Sequence, residues 1–441
     1  MGSRLRAAHR EYCSLGKMSR AGLETLRAQR LSDLLRHAVQ NVPFYRERVT
    51  EAAPTLAAFP ILKKDALRTN YRDFMEPSLR EEHEGCKKRA RYSWVEVKTG
   101  GSTGTPTSVI HDADFRDWGR AGRLYSQAMC GFPIGTPYFY LWGSMRDIND
   151  SRDSLQKRVM NGLLRMHPMN AFLMDAARMD EYLRQMHETQ LCHLMAYIDA
   201  AAELARHVER TGQAAPKLQS VMACAGTVLP SHRELLGKVF GARVHNKYGS
   251  RECADMACEC ASGGFHIFEN AVHIEIVDKD GQPVPEGVTG RILVTLLMNK
   301  RFPLIRYEIG DMGSRESGSC GCGSPLGLLK ELEGRSVEFL INTTGGYVSP
   351  VYIRHIIGVV HGGSALQRFQ LVQEEAESFS LVVQMDAALG EQFFGDWMGR
   401  LRPDLLKVLG EDAEIRIERA DRIEASESGK FLYVKNLCSR R

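Results

Sequence analysis

The stretch Thr99-Gly100-Gly101-Ser102-Thr103-Gly104-Thr105-Pro106-Thr107 concentrates glycine and hydroxyl residues behind a segment that alternates from Val95. Glycines let backbone N–H groups approach an anion with no Cβ in the way, and the hydroxyls add donors for phosphate oxygens. No Gly-Lys-Ser/Thr triplet closes the loop, so it is not a Walker loop. Taken alone, the segment fits a phosphate cradle and a plain flexible turn equally well. A second group of reactive side chains is Cys258-x-Cys260, followed by His266, with Cys320-x-Cys322 further on. Any four of these donors suffice for a closed tetrahedral zinc site. Gly263, Gly264, Gly321 and Gly323 permit the tight turns such a site requires. Cys260, His266, Cys320 and Cys322 are the favoured ligands, with Cys258 as a substitute; the competing reading is a set of free thiols.

Further segments follow in a fixed order: Ala225-Gly226-Thr227, Tyr248-Gly249-Ser250-Arg251-Glu252, Arg306-Tyr307-Glu308-Ile309-Gly310-Asp311, Gly334-Arg335 and Ser428-Gly429-Lys430-Phe431. Any one of them is commonly a turn or a solvated loop tip. Together, and in this order, they resemble the motif set of the adenylate-forming ligases. Val42-Pro43-Phe44-Tyr45 and Phe59-Pro60-Ile61-Leu62-Lys63-Lys64 are similar to the phenylacetate–CoA ligase branch, and Leu141-Trp142-Gly143-Ser144 and Asn170-Ala171-Phe172 to its CapK-like members.

The resemblance implies roles residue by residue. Thr99, Ser102, Thr103, Gly104 and Thr105 would wrap the β- and γ-phosphates of ATP. Gly226 and Thr227 would lie along adenine, Tyr248 would stack on it with Gly249 and Ser250 beside it, and Glu252 would hold Mg²⁺, a hard cation suited to oxygen ligands. Asp311 would accept the ribose hydroxyls, Arg306 and Arg335 would reach the nucleotide, and Lys430 would be the catalytic lysine. Two positions depart from the pattern. Thr105 or Thr107 stands where many relatives carry Lys, and Val337 stands where the hinge Asp is usual. The cysteine–histidine group resembles structural segments of the same branch.

The chemistry implied is activation of a carboxylate. Its own leaving group would be oxide, so it attacks the α-phosphorus of ATP and becomes a mixed anhydride with AMP. Catalysis then needs in-line positioning and neutralisation of phosphate charge. The partners are a small carboxylic acid and an acceptor nucleophile. CoA is the expected acceptor, so ATP, Mg²⁺, structural zinc and CoA form the cofactor set. A CapK-like enzyme passing the acyl group to an amine or another nitrogen or oxygen nucleophile is the second reading. The third is an inactive zinc-stapled binding protein, disfavoured because Glu252, Asp311, Arg335 and Lys430 are all present. Tyr140, Trp142 and Tyr197 are candidates for the acyl pocket.

These groups need a scaffold of more than one domain, which 441 residues provide. The Leu23, Leu26, Leu31, Leu34, Leu35 and Ala38 spacing predicts a helix ending near Asn41, with Pro43-Phe44-Tyr45 extended beyond it. Tyr138–Trp142 reads as a strand. Asp175 is a candidate N-cap for a helix carrying Met179, Tyr182, Leu183 and Met186, and another helix carries Ile198, Ala201, Ala205 and Val208. Val221–Cys224, Val272–Val277 and Ile292–Leu297 read as strands. After Arg335 the pattern shifts to a small α+β domain.

The expected fold class is therefore α/β. A large N-terminal adenylation body of several subdomains, with mixed sheets flanked by helices, spans residues 1–334. A small mobile α+β lid spans 335–441. The net charge of +4 with no long Lys/Arg block argues against a nucleic-acid surface. No 18-residue apolar run suggests a membrane span, and the N-terminus lacks an apolar signal core, so a cytoplasmic location is expected. A homodimer is compatible with this reading.

Overall fold

The computed structural model describes the chain except residues 1–2, 52, 86–92, 99–106, 143–158, 160, 172–173, 175, 336–339, 345–346, 349–352, 354, 362–364, 387–388, 424–431 and 439–441. The described residues form two compact units, 1–309 with 313–332, and 310–312 with 333–441.

In the larger unit, helices Ser3–Ser14 and Arg20–Asn41 come first. The Ser19 hydroxyl caps the second by accepting from the Gly22 amide at 3.1 Å, and Leu23, Leu34, Leu35 and Ala38 are buried along one face. Its charged face is anchored as well: Arg20 and Arg27 both pair with the buried Glu269 carboxylate. Pro43-Phe44-Tyr45, expected to be extended, instead forms a short helix, Pro43–Arg46. Proline suits the first helical turn, and the turn stacks Phe44 on Phe74 at 4.1 Å.

Strands β1 (Trp94–Lys98) and β2 (Ser108–Asp112) pair antiparallel on either side of the glycine-rich loop. Then come β3 (Tyr138–Trp142), β4 (Met166–Asn170), β5 (His193–Tyr197), β6 (Ser220–Cys224), β7 (Arg243–Ser250), β8 (Ala254–Glu259), β9 (Phe265–Ile267), β10 (Val272–Val277), β11 (Gly290–Leu296), β12 (Tyr307–Glu316) and β13 (Leu328–Arg335). They form one mixed sheet of 11 strands in the order β10-β11-β12-β13-β9-β8-β7-β6-β5-β3-β4. The β4-β3-β5-β6-β7 end is parallel, whereas β7-β8-β9 is antiparallel.

Strand alternation decides what the parallel end can host. Phe139, Leu141, Leu194, Ala196, Val221 and Ala223 point to one face, where helices Ala176–Thr189, Ile198–Thr211 and Pro230–Phe240 cover them. Full burial of each large side chain contributes about 1.5–3 kcal/mol. Tyr138, Met195, Met222 and Cys224 point to the other face, together with the half-buried Tyr140 and Trp142. Helix Ala113–Met129 lies in the same hydrophobic cluster, capped by Asp112, which accepts from the Phe115 amide at 2.7 Å.

The smaller unit contains the hairpin of β14 (Leu340–Ile341) and β15 (Tyr347–Val348), then β16 (Leu366–Gln373), β17 (Ser378–Met385), β18 (Glu414–Arg419) and β19 (Val434–Asn436). Its four-stranded sheet runs β18-β17-β16-β19 and packs on helix Glu391–Leu409, with Trp397, Leu401, Leu405 and Leu409 buried. Among the described residues no helix is long and apolar enough to cross a membrane.

Candidate active site

The segment Tyr248–Glu252 spans the end of β7 and its turn into β8. The pairing shifts register between Tyr248 and Gly249. Ala254, at φ 57°, brings the chain back so close that a Cβ on Gly249 would lie 2.6 Å from the Ala254 carbonyl oxygen. Only glycine fits there. Gly249→Ala should therefore cost about 1–3 kcal/mol of stability, read as a lower thermal midpoint, because backbone rather than a flexible side chain blocks the added methyl. The Ser250 hydroxyl accepts from the Cys253 amide at 3.1 Å and closes the turn.

His111 on β2 fixes the next residue. Its Nε2 lies 2.8 Å from the Glu252 carbonyl oxygen, and burial pushes the imidazole below its ordinary pKa. The neutral ring donates from Nε2. The strand that follows the glycine-rich loop is thus tied to the backbone of Glu252. The Glu252 carboxylate is itself buried, and Oε1 accepts from the Tyr307 hydroxyl at 3.3 Å. Upstream, the Arg68 guanidinium donates from Nε to the Thr107 hydroxyl at 3.0 Å, anchoring the loop's last residue. Thr99, Ser102, Thr103, Gly104, Thr105 and Lys430 lie outside the described residues.

The Ala225-Gly226-Thr227 turn follows β6, next to β7, the strand that carries Tyr248. Ala225 adopts φ 54°, and a Cβ on Gly226 would meet the Ile198 side chain at 2.6 Å. Asp311 sits on β12 and Arg335 ends β13. Arg306 requires a correction. At φ 51°, its guanidinium donates from Nε to Glu275 at 3.2 Å, from one terminal nitrogen to the Phe59 carbonyl at 3.1 Å and from the other to the Gly281 carbonyl at 3.4 Å. The fork joins three segments of the body, contacts that support a structural role in place of the nucleotide contact expected of it.

The residues proposed for the acyl pocket do meet. Tyr140 stacks on Trp142 at 5.2 Å, and Trp142 lies 4.3 Å from Tyr197, measured between ring centroids. Sequence reasoning missed their charged neighbours. Lys247 Nζ lies 2.6 Å from Asp255 Oδ1, and both side chains are buried. Ser126 Oγ lies 3.3 Å from Asp255 Oδ2. The available signal was Lys247 itself, a charge at an inward-facing position of β7 directly before Tyr248.

Cys260, His266, Cys320 and Cys322 converge, with their ligating atoms all within 4.8 Å of one another. Cys260 and Cys320 sulfurs are 3.6 Å apart, and Cys322 Sγ is 3.2 Å from His266 Nε2. Tetrahedral zinc with bonds of about 2.3 Å to sulfur would space its donors by roughly 3.8 Å. The Ser262 and Cys322 amides donate to the Cys260 and Cys320 sulfurs at 3.3 and 3.5 Å. Gly264 is required here too, since a Cβ would sit 2.5 Å from Cys320 Sγ. Cys258 is corrected out of the ligand set. It is still within β8 and points into the core, 3.6 Å from Cys130 Sγ, whereas Cys260 lies past the strand end in the turn closed by Gly263 and Gly264.

Residues 340–437 match the family model of the CapK C-terminal domain. A phenylacetate-coenzyme A ligase of Thermus thermophilus is 25% identical over 78% of this chain and 77% of its own length. One from Pseudomonas putida is 24% identical over 96% of this chain and 98% of its own. A 2-hydroxyisobutyryl-CoA ligase, solved in the postadenylation state with R3-HIB-AMP, superposes with a TM-score of 0.70 over 95% of this chain and 89% of that one, at 17% identity. The fold is that of the adenylate-forming ligases. Within that fold, the turn after β6 and the β7–β8 hairpin hold the expected nucleotide segments side by side at the carboxyl ends of parallel strands, where open α/β sheets place ligands.

Proposed function

We propose that this chain is an AMP-forming ligase that activates a small carboxylic acid as its acyl-adenylate and passes the acyl group to CoA. The observation that carries the reading is the side-by-side placement of Ala225–Thr227 and Tyr248–Glu252, with the Glu252 backbone tied to the strand leaving the glycine-rich loop. The substrate carboxylate oxygen attacks the α-phosphorus, the bond from that phosphorus to the bridging oxygen breaks, and pyrophosphate leaves. The CoA thiolate then adds to the acyl carbon and AMP departs.

Thr99, Ser102, Thr103, Gly104 and Thr105 hold the β- and γ-phosphates, Gly226, Thr227, Tyr248, Gly249 and Ser250 frame adenine, and Asp311 accepts the ribose hydroxyls. Arg335 and Lys430 supply positive charge, carried on the small domain of residues 335–441, with 1–334 as the adenylation body. Mg²⁺ supplies neutralisation of phosphate charge, and Glu252 is its protein ligand; one carboxylate plus phosphate oxygens is a common setting for this ion. Zinc at Cys260, His266, Cys320 and Cys322 is structural, since all four positions are filled by protein.

The two relatives named as phenylacetate-coenzyme A ligases favour CoA over an amine acceptor. Pyrophosphate release with ATP, Mg²⁺ and a panel of acids tests the reading. Acid-dependent release, with thioester formed only when CoA is present, is the expected result. Release that turns over only with an amine would move the chain to an amide-forming ligase, and no release with any acid despite ATP binding would leave a binding protein.

A further inference from the structure

One buried ion pair borders the hairpin that carries Tyr248 and Glu252, and the adenylation chemistry does not use it. Lys247 directly precedes Tyr248, and Asp255 lies three residues beyond Glu252. Lys247 Nζ is 2.6 Å from Asp255 Oδ1, with the two side chains only 7% and 6% exposed. Ser126 Oγ, on helix Ala113–Met129, lies 3.3 Å from the other carboxylate oxygen. Burying such a pair gains little over apolar residues of similar volume, and the best-attested use of a buried charge is to fix a register.

The register of this hairpin is irregular. Lys247 pairs with Cys258 and Tyr248 with Ala257, but Gly249 pairs with Asp255 and Ser250 with Ala254. Met256 is therefore an extra residue in β8, a bulge whose carbonyl accepts from the Phe268 amide at 2.8 Å. Opposed residues of an antiparallel ladder share a face, as do alternate residues along a strand. The bulge thus turns Asp255 to the face that carries Lys247. Without it, Met256 would oppose Gly249, Asp255 would point to the other face, and the ion pair could not form.

The turn would change as well. Continuous pairing would set Ser250 against Asp255 and Arg251 against Ala254, leaving Glu252 and Cys253 as a two-residue turn. In the bulged register the turn has three residues with Glu252 at its centre, its carbonyl tied to His111 and its carboxylate to Tyr307. Gly249 gives the Asp255 carboxylate room, since a Cβ there would come within 3.1 Å of Oδ1.

We propose that Lys247 and Asp255 are positioning residues: their pair selects the bulged register that presents Tyr248 and Glu252 together to the nucleotide. They act through the hairpin, not on the reacting atoms. What is positioned rests on the ligase reading; the choice of register does not.

The test compares Lys247→Met, Asp255→Asn and the double variant Lys247→Met/Asp255→Leu by thermal melting, calorimetric AMP binding, hydrogen exchange and pyrophosphate release. Each single change strands a buried charged group and should lower the melting midpoint. The double variant has no charge to bury and should melt close to wild type. Its AMP affinity and its kcat/KM for ATP should nevertheless stay about 10–100-fold down, the cost of misplacing binding groups by an ångström or so. Exchange at the Phe268 amide, which the Met256 carbonyl holds, should rise in step. A double variant that regains wild-type AMP affinity and kcat/KM along with its midpoint would reduce the pair to a structural contact and overturn the proposal. So would a double variant that melts as low as the single ones, or a wild type that binds no AMP. Weakened AMP binding in the double variant, with no pyrophosphate released by wild type from any acid, would uphold this inference and overturn the ligase reading instead.

Discussion

Lys430→Ala should slow acid-dependent pyrophosphate release by roughly 10²–10³-fold, the usual loss when one preorganised donor to developing charge is removed. Negative charge redistributes over the α-phosphoryl group as the carboxylate oxygen bonds and the pyrophosphate oxygen departs. A mobile ammonium can follow that change where fixed amides cannot. ATP affinity should stay within a few fold of wild type, because adenine, ribose and the outer phosphates are assigned to other residues. Transfer from a supplied acyl-adenylate to CoA should also be largely spared, since that step needs no charge at the α-phosphorus before AMP leaves. In sequence Lys430 falls between β18 and β19, which are the two outer strands of the four-stranded sheet. Rapid-quench measurement of pyrophosphate, alongside nucleotide binding and the acyl-adenylate half-reaction, separates these effects. Equal adenylation rates in variant and wild type would remove Lys430 from the mechanism.

Much of the scaffold was legible because its signals are local. Helix Arg20–Asn41 and strands β3, β6, β10 and β11 all follow from apolar spacing, and β10 alternates buried Val272, Ile274 and Ile276 with half-buried His273 and Glu275. The short helix at Pro43 escaped because a proline followed by aromatics is locally ambiguous, and the packing of Phe44 on Phe74 decides it. The candidate zinc ligands were readable as types but not as a choice of four. Cys258 and Cys260 differ only in which side of a strand end they occupy, and that end is set by the Gly263–Gly264 turn. Arg306 illustrates the opposite failure. Its motif is recognisable, but three non-local acceptors, Glu275 and the Phe59 and Gly281 carbonyls, absorb its donors.

Cys260→Ala should release zinc and lower stability of the larger unit by on the order of 3–5 kcal/mol, at the upper end of single-substitution effects. The site joins two turns distant in sequence, Cys260–His266 after β8 and Cys320–Cys322 between β12 and β13. His266 also pairs in register with Leu328 of β13. Losing one ligand leaves two thiols and an imidazole crowded within 4.8 Å with nothing to hold them together, so the cost combines lost metal binding with loosening of the β9–β13 pairing. Cys258→Ala is the control. It removes a buried thiol beside Cys130 but no ligand, so it should cost only about 1 kcal/mol and retain zinc. Acidification should mimic the ligand loss, because protons compete with zinc for the three thiolates and His266, and stability should fall as the pH drops. Protein purified without chelator should carry one zinc per chain by plasma mass spectrometry, and less than about half an equivalent would reject the site. If Cys260→Ala and Cys258→Ala shifted the melting midpoint equally, the cluster would be ordinary packing, because only a shared metal makes two neighbouring cysteines on one segment so unequal.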